Sequence, residues 1–207
     1  MEKSKQEYIE DIKEIRKIMD RSTRFLSLSG MSGITSGVIA LIGAFLAYTT
    51  IYDGQDYMQY RKALLTSDSL TQLLLIAIVI LVFSIGCAYF FTTRRAKKNN
   101  ETLWDEHAKK MLINMAIPLV TGGILSLIFI SKGFVGLAAP LTLIFYGLAL
   151  VNGRKYTLDE IRSLGLMEIT LGLLSAYFIG YGLIFWAVGF GGLHIIYGVV
   201  MHYKYEV

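Results

Sequence analysis

Charged residues and cysteines are both scarce in this chain, and each scarcity excludes a class of protein. Only 17% of the 207 residues are charged and 54% are hydrophobic, whereas a soluble domain usually carries about a quarter charged residues. Cys87 is the single cysteine, so an intramolecular disulfide and a cysteine-based metal site are excluded. The common phosphate-loop, hydrolase and metalloprotease motifs are absent. The composition predicts an all-α membrane protein and indicates neither an enzyme nor a cofactor.

Six apolar stretches have roughly the length of a transmembrane helix, which needs about 20 mostly apolar residues. They cover approximately residues 28–48, 70–91, 111–130, 134–151, 164–180 and 183–202. The third and fourth stretches, and the fifth and sixth, are separated by only a few residues, which predicts tight turns. We therefore expect one domain over residues 28–207, with six transmembrane helices arranged as three hairpins.

The first 27 residues have mixed charge and do not look like a signal peptide, in which an apolar core directly follows a short basic region. Tyr8, Ile12, Ile15 and Met19 follow a 4-3-4 spacing, which predicts an amphipathic helix over residues 5–25. Such a helix would lie on the inner leaflet or on the helix bundle. Alternatively, it would dock a cytoplasmic partner. Residues 1–27 are thus expected to form a separate cytoplasmic segment.

The basic residues predict the orientation in the membrane. Of the 20 lysine and arginine residues, all but Arg61, Lys62 and Lys132 fall on one side of the six stretches. The positive-inside rule places this side, and with it both termini, in the cytoplasm. We therefore expect a protein of the cytoplasmic (inner) membrane whose basic residues contact anionic lipid headgroups rather than nucleic acid. A homo-oligomer or a cytoplasmic protein partner is also compatible with this pattern.

Two of the expected hairpins resemble each other in sequence. Residues 117–133 align with residues 166–182 at an offset of 49, and seven of these 17 positions are identical. After a slip of two residues, Tyr146 and Gly147 match Tyr197 and Gly198. The alignment predicts a parallel internal repeat, in which hairpins of the same orientation are related by an axis along the membrane normal.

Glu168 is the only acidic residue well inside any of the six stretches. A carboxylate at that depth is costly unless it is protonated, paired or hydrated, so it is a candidate functional residue. Glu168 precedes Tyr181 by 13 residues and His194 follows Tyr181 by 13 residues. If Tyr181 marks the turn, both side chains lie at one depth, and small residues on the same helix faces direct them into the bundle.

Two interpretations of this pair remain open. Glu168 and His194 bind a proton or a ligand, or they form a structural hydrogen bond that fixes the register of their helices. A metal ion or a haem is not expected, because neither residue has the further protein ligands that such a site needs. Small residues are predicted to mediate helix packing elsewhere; these are Gly33, Gly37, Gly123, Gly172, Ser175, Gly191 and Gly198.

The sequence identifies no specific activity, but it favours two kinds of function. The first is a transporter for a proton, an ion or a small solute, or a proton-responsive protein, that uses the Glu168–His194 pair. The second is a non-enzymatic membrane sensor or scaffold that docks a cytoplasmic partner through residues 5–25 or 94–110. The two differ in whether Glu168 is needed for function.

Overall fold

The structure is a computed structural model that describes residues 29–52, 67–99, 104–158 and 160–205. No strand occurs in these residues, and nearly all of them are helical, so the prediction of an all-α protein is confirmed. The predicted amphipathic helix over residues 5–25 lies outside the described part of the chain.

The helices occupy the predicted apolar stretches and extend some of them. In chain order they are α1 (Gly30–Tyr52), α2 (Ser67–Lys98), α3 (Glu106–Ser131), α4 (Ala138–Gly153), α5 (Glu160–Tyr177), α6 (Gly182–Trp186) and α7 (His194–Tyr205). The carboxylate of Asp105 caps α3 by accepting a hydrogen bond from the backbone N–H of Ala108 at 2.7 Å. Such a cap satisfies one of the backbone donors that a helix start leaves free.

Residues 182–205 form a single long helix with an irregular centre. Between α6 and α7, residues Ala187–Leu193 form a π-helix, in which the hydrogen bonds reach one residue further than in an α-helix. We refer to α6, the π-helix and α7 together as the C-terminal helix. Short 3₁₀-helices at Val135–Leu137 and Ile179–Tyr181 lead into α4 and α6.

Five of the helical segments are long and apolar enough to cross a membrane, which indicates a membrane-embedded protein. They are α1, α2, α3, the segment Val135–Tyr156 that contains α4, and the segment Ile179–Tyr205 that contains the C-terminal helix. The remaining helix, α5, does not qualify because three of its 18 residues are charged: Glu160, Arg162 and Glu168.

Close backbone contacts join two pairs of helices. Helix α1 packs against the C-terminal helix, where a Cβ atom placed on Gly198 would lie 2.5 Å from the backbone nitrogen of Ile34. Helix α4 packs against α5, where a Cβ atom on Gly165 would lie 2.7 Å from the carbonyl oxygen of Gly147. Helix α3 packs on α4 and α2 packs on α1. The buried face of α5 and that of the C-terminal helix both point into the bundle, where the two candidate residues are found.

Candidate functional site

The structure brings Glu168 and His194 together in the interior of the bundle. Glu168, on α5, is completely buried, and His194, the first residue of α7, is also buried. The Nδ1 atom of His194 lies 3.5 Å from the Oε1 atom of Glu168. This distance permits electrostatic attraction but is too long for a good hydrogen bond.

Both nitrogens of the His194 ring have other partners. Nδ1 lies 3.0 Å from the carbonyl oxygen of Gly189, and Nε2 lies 2.7 Å from the hydroxyl oxygen of Tyr146. A carbonyl oxygen only accepts hydrogen bonds, so Nδ1 carries a proton and donates it to Gly189. In a neutral ring, Nε2 then accepts from the hydroxyl of Tyr146. His194 is therefore fully hydrogen-bonded without Glu168.

The π-helix makes this arrangement of His194 possible. The backbone N–H of His194 donates to the carbonyl oxygen of Gly191, while the side chain reaches back five residues to Gly189. A Cβ atom on Gly189 would lie 2.5 Å from the Oε2 atom of Glu168, so only glycine leaves room for the carboxylate. Short π-helical stretches often occur at functional sites, and this one supplies both a hydrogen-bond acceptor and space for Glu168.

Aromatic rings surround the other side of His194. The ring of Phe190 stacks on His194 with centroids 5.9 Å apart, and it also contacts Tyr146 and Trp186 at 5.0 Å each. Tyr146 and His194 have centroids 5.3 Å apart. The rings hold His194 in one orientation and exclude water from that side, which strengthens electrostatic interactions at Glu168.

Glu168 itself has no hydrogen-bond partner in the described part of the protein. Neither carboxyl oxygen receives a hydrogen bond, and both are buried. Buried carboxylates in folded proteins are almost always paired, because a buried unpaired charge costs several kcal/mol. The site must therefore take up a proton, a cation or a hydrogen-bond donor whenever Glu168 is enclosed in this way.

The small residues expected at helix contacts occupy several different places. Gly33, Gly37, Gly191 and Gly198 lie where α1 meets the C-terminal helix, and Gly172 approaches the backbone of Ile144 on α4. Ser175 is fully buried on α5.

Gly123, in contrast, is exposed, and a Cβ atom placed there would meet no other atom within 4 Å. Its neighbour Gly122 faces Phe145 instead.

Sequence reasoning did not find two members of the site, Tyr146 and the carbonyl of Gly189. Tyr146 appeared only as a repeated residue that matches Tyr197, and no pattern connects it to His194. The Gly189 carbonyl depends on the π-helix, which leaves no clear trace in composition. Among the described residues, no group of three or more histidine, cysteine, aspartate or glutamate side chains is arranged to hold a metal ion.

Comparison of the chain with protein-family models, with curated proteins and with solved structures finds no match.

Proposed function

We propose that this protein is a transporter or proton-responsive membrane protein that binds and releases a proton at Glu168. One observation carries the proposal: a completely buried carboxyl group has no hydrogen-bond partner, although a histidine ring lies 3.5 Å away. A purely structural Glu–His pair would be expected to hydrogen-bond directly. Here His194 is held by Gly189 and Tyr146, which leaves Glu168 available for exchange.

The chemistry of the exchange follows from charge. A protonated Glu168 is neutral and tolerates the closed, buried site. After the proton leaves, the carboxylate is charged, and the site must then admit water, a cation or a hydrogen-bond donor of a solute. Binding of the proton and binding of such a solute thus exclude each other, which is the basic requirement for coupled exchange across a membrane.

The proposed function requires a defined arrangement of the protein in the membrane. Six transmembrane helices, arranged as three hairpins with a parallel repeat, would include α5, whose buried face keeps Glu168 away from lipid. The excess of basic residues on one side supports an inner-membrane protein with cytoplasmic termini. Residues 1–27 would form the cytoplasmic amphipathic helix, and anionic lipid would contact the basic residues at this face.

Infrared difference spectroscopy of the purified protein tests the proposal. Spectra recorded over about pH 5 to 9, the range in which perturbed carboxyl groups titrate, should contain a buried carboxylic-acid band that titrates. The band should disappear in Glu168→Gln and persist in Glu106→Gln, because Glu106 is exposed at the start of α3. A titration that is identical in wild type and Glu168→Gln would contradict the proposal.

Proton movement across liposomes provides the functional measurement. With an imposed pH gradient and a pH-sensitive dye inside the vesicles, wild-type protein should carry protons. Glu168→Gln should slow this movement at least about tenfold, which corresponds to about 1.4 kcal/mol in the barrier. The Glu106→Gln variant should retain the wild-type rate.

A second candidate function, docking of a cytoplasmic partner, is favoured by a different observation. Helix α2 continues about two turns beyond its apolar part, and exposed basic side chains cluster there and at the start of α3; these are Arg94, Lys97, Lys98, Lys109 and Lys110. Such a surface would bind an acidic protein segment, with residues 5–25 as a further contact. A homo-oligomer is the remaining possibility for a protein partner.

Partner recovery distinguishes the two functions. In a pull-down from native membranes, deletion of the first 27 residues, or replacement of the five basic residues by glutamine, should abolish recovery of a docked partner. Glu168→Gln should not affect it. Undiminished recovery of the partner both after the N-terminal deletion and after the glutamine replacements would contradict docking. Loss of proton movement in Glu168→Gln, but not in these two variants, would support transport.

A further inference from the structure

Within α5 and the C-terminal helix, four side chains have a buried oxygen atom without a hydrogen-bond partner. Besides both oxygens of Glu168, they are the Oε2 atom of Glu160, the hydroxyl of Tyr197 and the hydroxyl of Ser175. Three of these residues lie on α5 and the fourth on α7. Buried polar groups without protein partners usually bind internal water, so these oxygen atoms are the positions where water between the helices would bind.

The order of these residues along the bundle can be derived from two contacts. At one end, Glu160 accepts hydrogen bonds at Oε1 from the ammonium group of Lys204 and from the hydroxyl of Tyr205, the latter at 2.8 Å. At the other end, His194 lies beside Glu168. Because α7 connects His194 with Tyr205, Tyr197 lies between the two carboxyl groups.

Tyr197 and Tyr146 contact the same cluster of apolar side chains. Both side chains pack against the cluster of Leu150, Ile161 and Leu164. Two members of the cluster, Ile161 and Leu164, lie between Glu160 and Glu168 on α5. The hydroxyl of Tyr146 donates to His194, but the hydroxyl of Tyr197 is unpartnered. The hydroxyl of Tyr197 is thus a polar group inside an otherwise apolar barrier, at the position where a proton has to pass.

We propose that Glu160 and Tyr197 form a hydrated proton path that connects Glu168 with the Glu160 end of the bundle. This inference rests on the proposed proton exchange at Glu168. The eight residues from Glu160 to Glu168 span about 12 Å along α5, a distance that one hydroxyl and about three water molecules at hydrogen-bond spacing can bridge.

Each member of the path gives up one proton and receives another. A proton from solvent binds at Glu160, whose side chain is 21% exposed, and passes through water to the hydroxyl oxygen of Tyr197. Tyr197 releases its own proton through water to Glu168, so its hydroxyl is restored and no net chemical change occurs. The titratable groups that face this path are Lys204 and Tyr205 at Glu160, and His194 and Tyr146 at Glu168.

The rate at which Glu168 exchanges its proton tests the path. After transfer to D₂O, the shift of the Glu168 carboxylic-acid band is followed in time, with Glu168→Gln used to assign the band. Tyr197→Phe should slow this shift at least about tenfold and leave its amplitude unchanged. Tyr203→Phe, on the same helix with an exposed ring, is the matched control and should exchange at the wild-type rate.

The variant Ser175→Ala tests from which end of the bundle the proton reaches Glu168. Ser175 lies seven residues beyond Glu168 on α5, on the side away from Glu160. If exchange slows in Ser175→Ala but not in Tyr197→Phe, the proton reaches Glu168 from the opposite end, and the path through Tyr197 is wrong. An unchanged rate in Tyr197→Phe, with a normal titrating band, overturns the path alone. Absence of any titrating Glu168 band overturns the proposed function as well.

Discussion

Helices α2 and α5 are opposites in composition and in burial. Helix α2 is strongly apolar, yet no residue in its most apolar stretch is buried. Helix α5 carries three charges in 18 residues, yet its inner face, which includes Glu168 and Ser175, is buried. In water the apolar helix would be the enclosed one. The inversion is expected in a membrane, where lipid covers apolar side chains and the protein interior shelters polar ones.

The largest effect is expected when a carboxylate is placed on the outer face of α2. Val82 is 61% exposed near the middle of this helix. Val82→Glu should destabilise the membrane-inserted protein by about 3 kcal/mol, because lipid offers no partner for the charge. Thermal unfolding in lipid nanodiscs and the yield of inserted protein measure the loss. Val82→Leu is the control, and equal stability of the two variants would contradict contact of α2 with lipid.

A somewhat smaller effect is expected from removing apolar side chains. Leu164 on α5 is buried with Leu150 and Ile161, whereas Leu81 on α2 is 59% exposed. Leu164→Ala should lower the free energy of unfolding by about 2 kcal/mol through lost packing. Leu81→Ala should change it by less than about 0.5 kcal/mol. Similar losses in both variants would show that α2 is packed against something other than lipid.

Replacing a glycine by alanine should have opposite effects on stability in α5 and in α2. A Cβ atom on Gly165 would approach both the carbonyl of Gly147 and the side chain of Leu150, but one on Gly86 in α2 would meet no other atom within 4 Å. Gly165→Ala should therefore destabilise the protein by about 1–2 kcal/mol. Gly86→Ala should be neutral or stabilising by up to about 1 kcal/mol, because alanine favours a helix. Chemical unfolding of both variants gives the comparison.

The smallest effect concerns the ionised start of α5, before the predicted span over residues 164–180. Partial burial would raise the pKa of Glu160, but hydrogen bonds from Lys204 and Tyr205 outweigh it and hold the pKa below its ordinary value. A lowered folded-state pKa contributes stability above the unfolded value of about 4.3, and this contribution is lost as the pH falls through the folded pKa.

Unfolding measured as a function of pH tests this contribution. Glu160→Gln should cost less than about 1 kcal/mol at neutral pH, as is usual for accessible ion pairs. The difference from wild type should vanish in acid. A difference that is independent of pH would assign the effect to lost packing rather than to charge.

The sequence predicted the helices well because length and apolarity alone determine most of them. It also indicated that Glu168 and His194 face each other, since their equal separation from Tyr181 follows from the constant rise of a helix. Three features depend on the local helix geometry or on contacts between helices, neither of which a single sequence shows. The hydrogen bond from Tyr146 comes from a third helix, the Gly189 carbonyl depends on the π-helix, and only packing distinguishes Gly122 from Gly123.

Because of the π-helix, the site around His194 depends on the number of residues between Trp186 and His194. A π-turn, in which the hydrogen bond joins residues i and i+5, contains one residue more than an α-turn. Deletion of Gly192, around which a Cβ atom would meet no other atom within 4 Å, would allow a regular α-helix, in which the carbonyl oxygen of Gly189 accepts the backbone N–H of His194. The Nδ1 atom of His194 would then lose the acceptor that holds the ring beside Tyr146 and Glu168. A homologue with the same residues but one fewer in this stretch would have lost the site, although its composition would hardly differ.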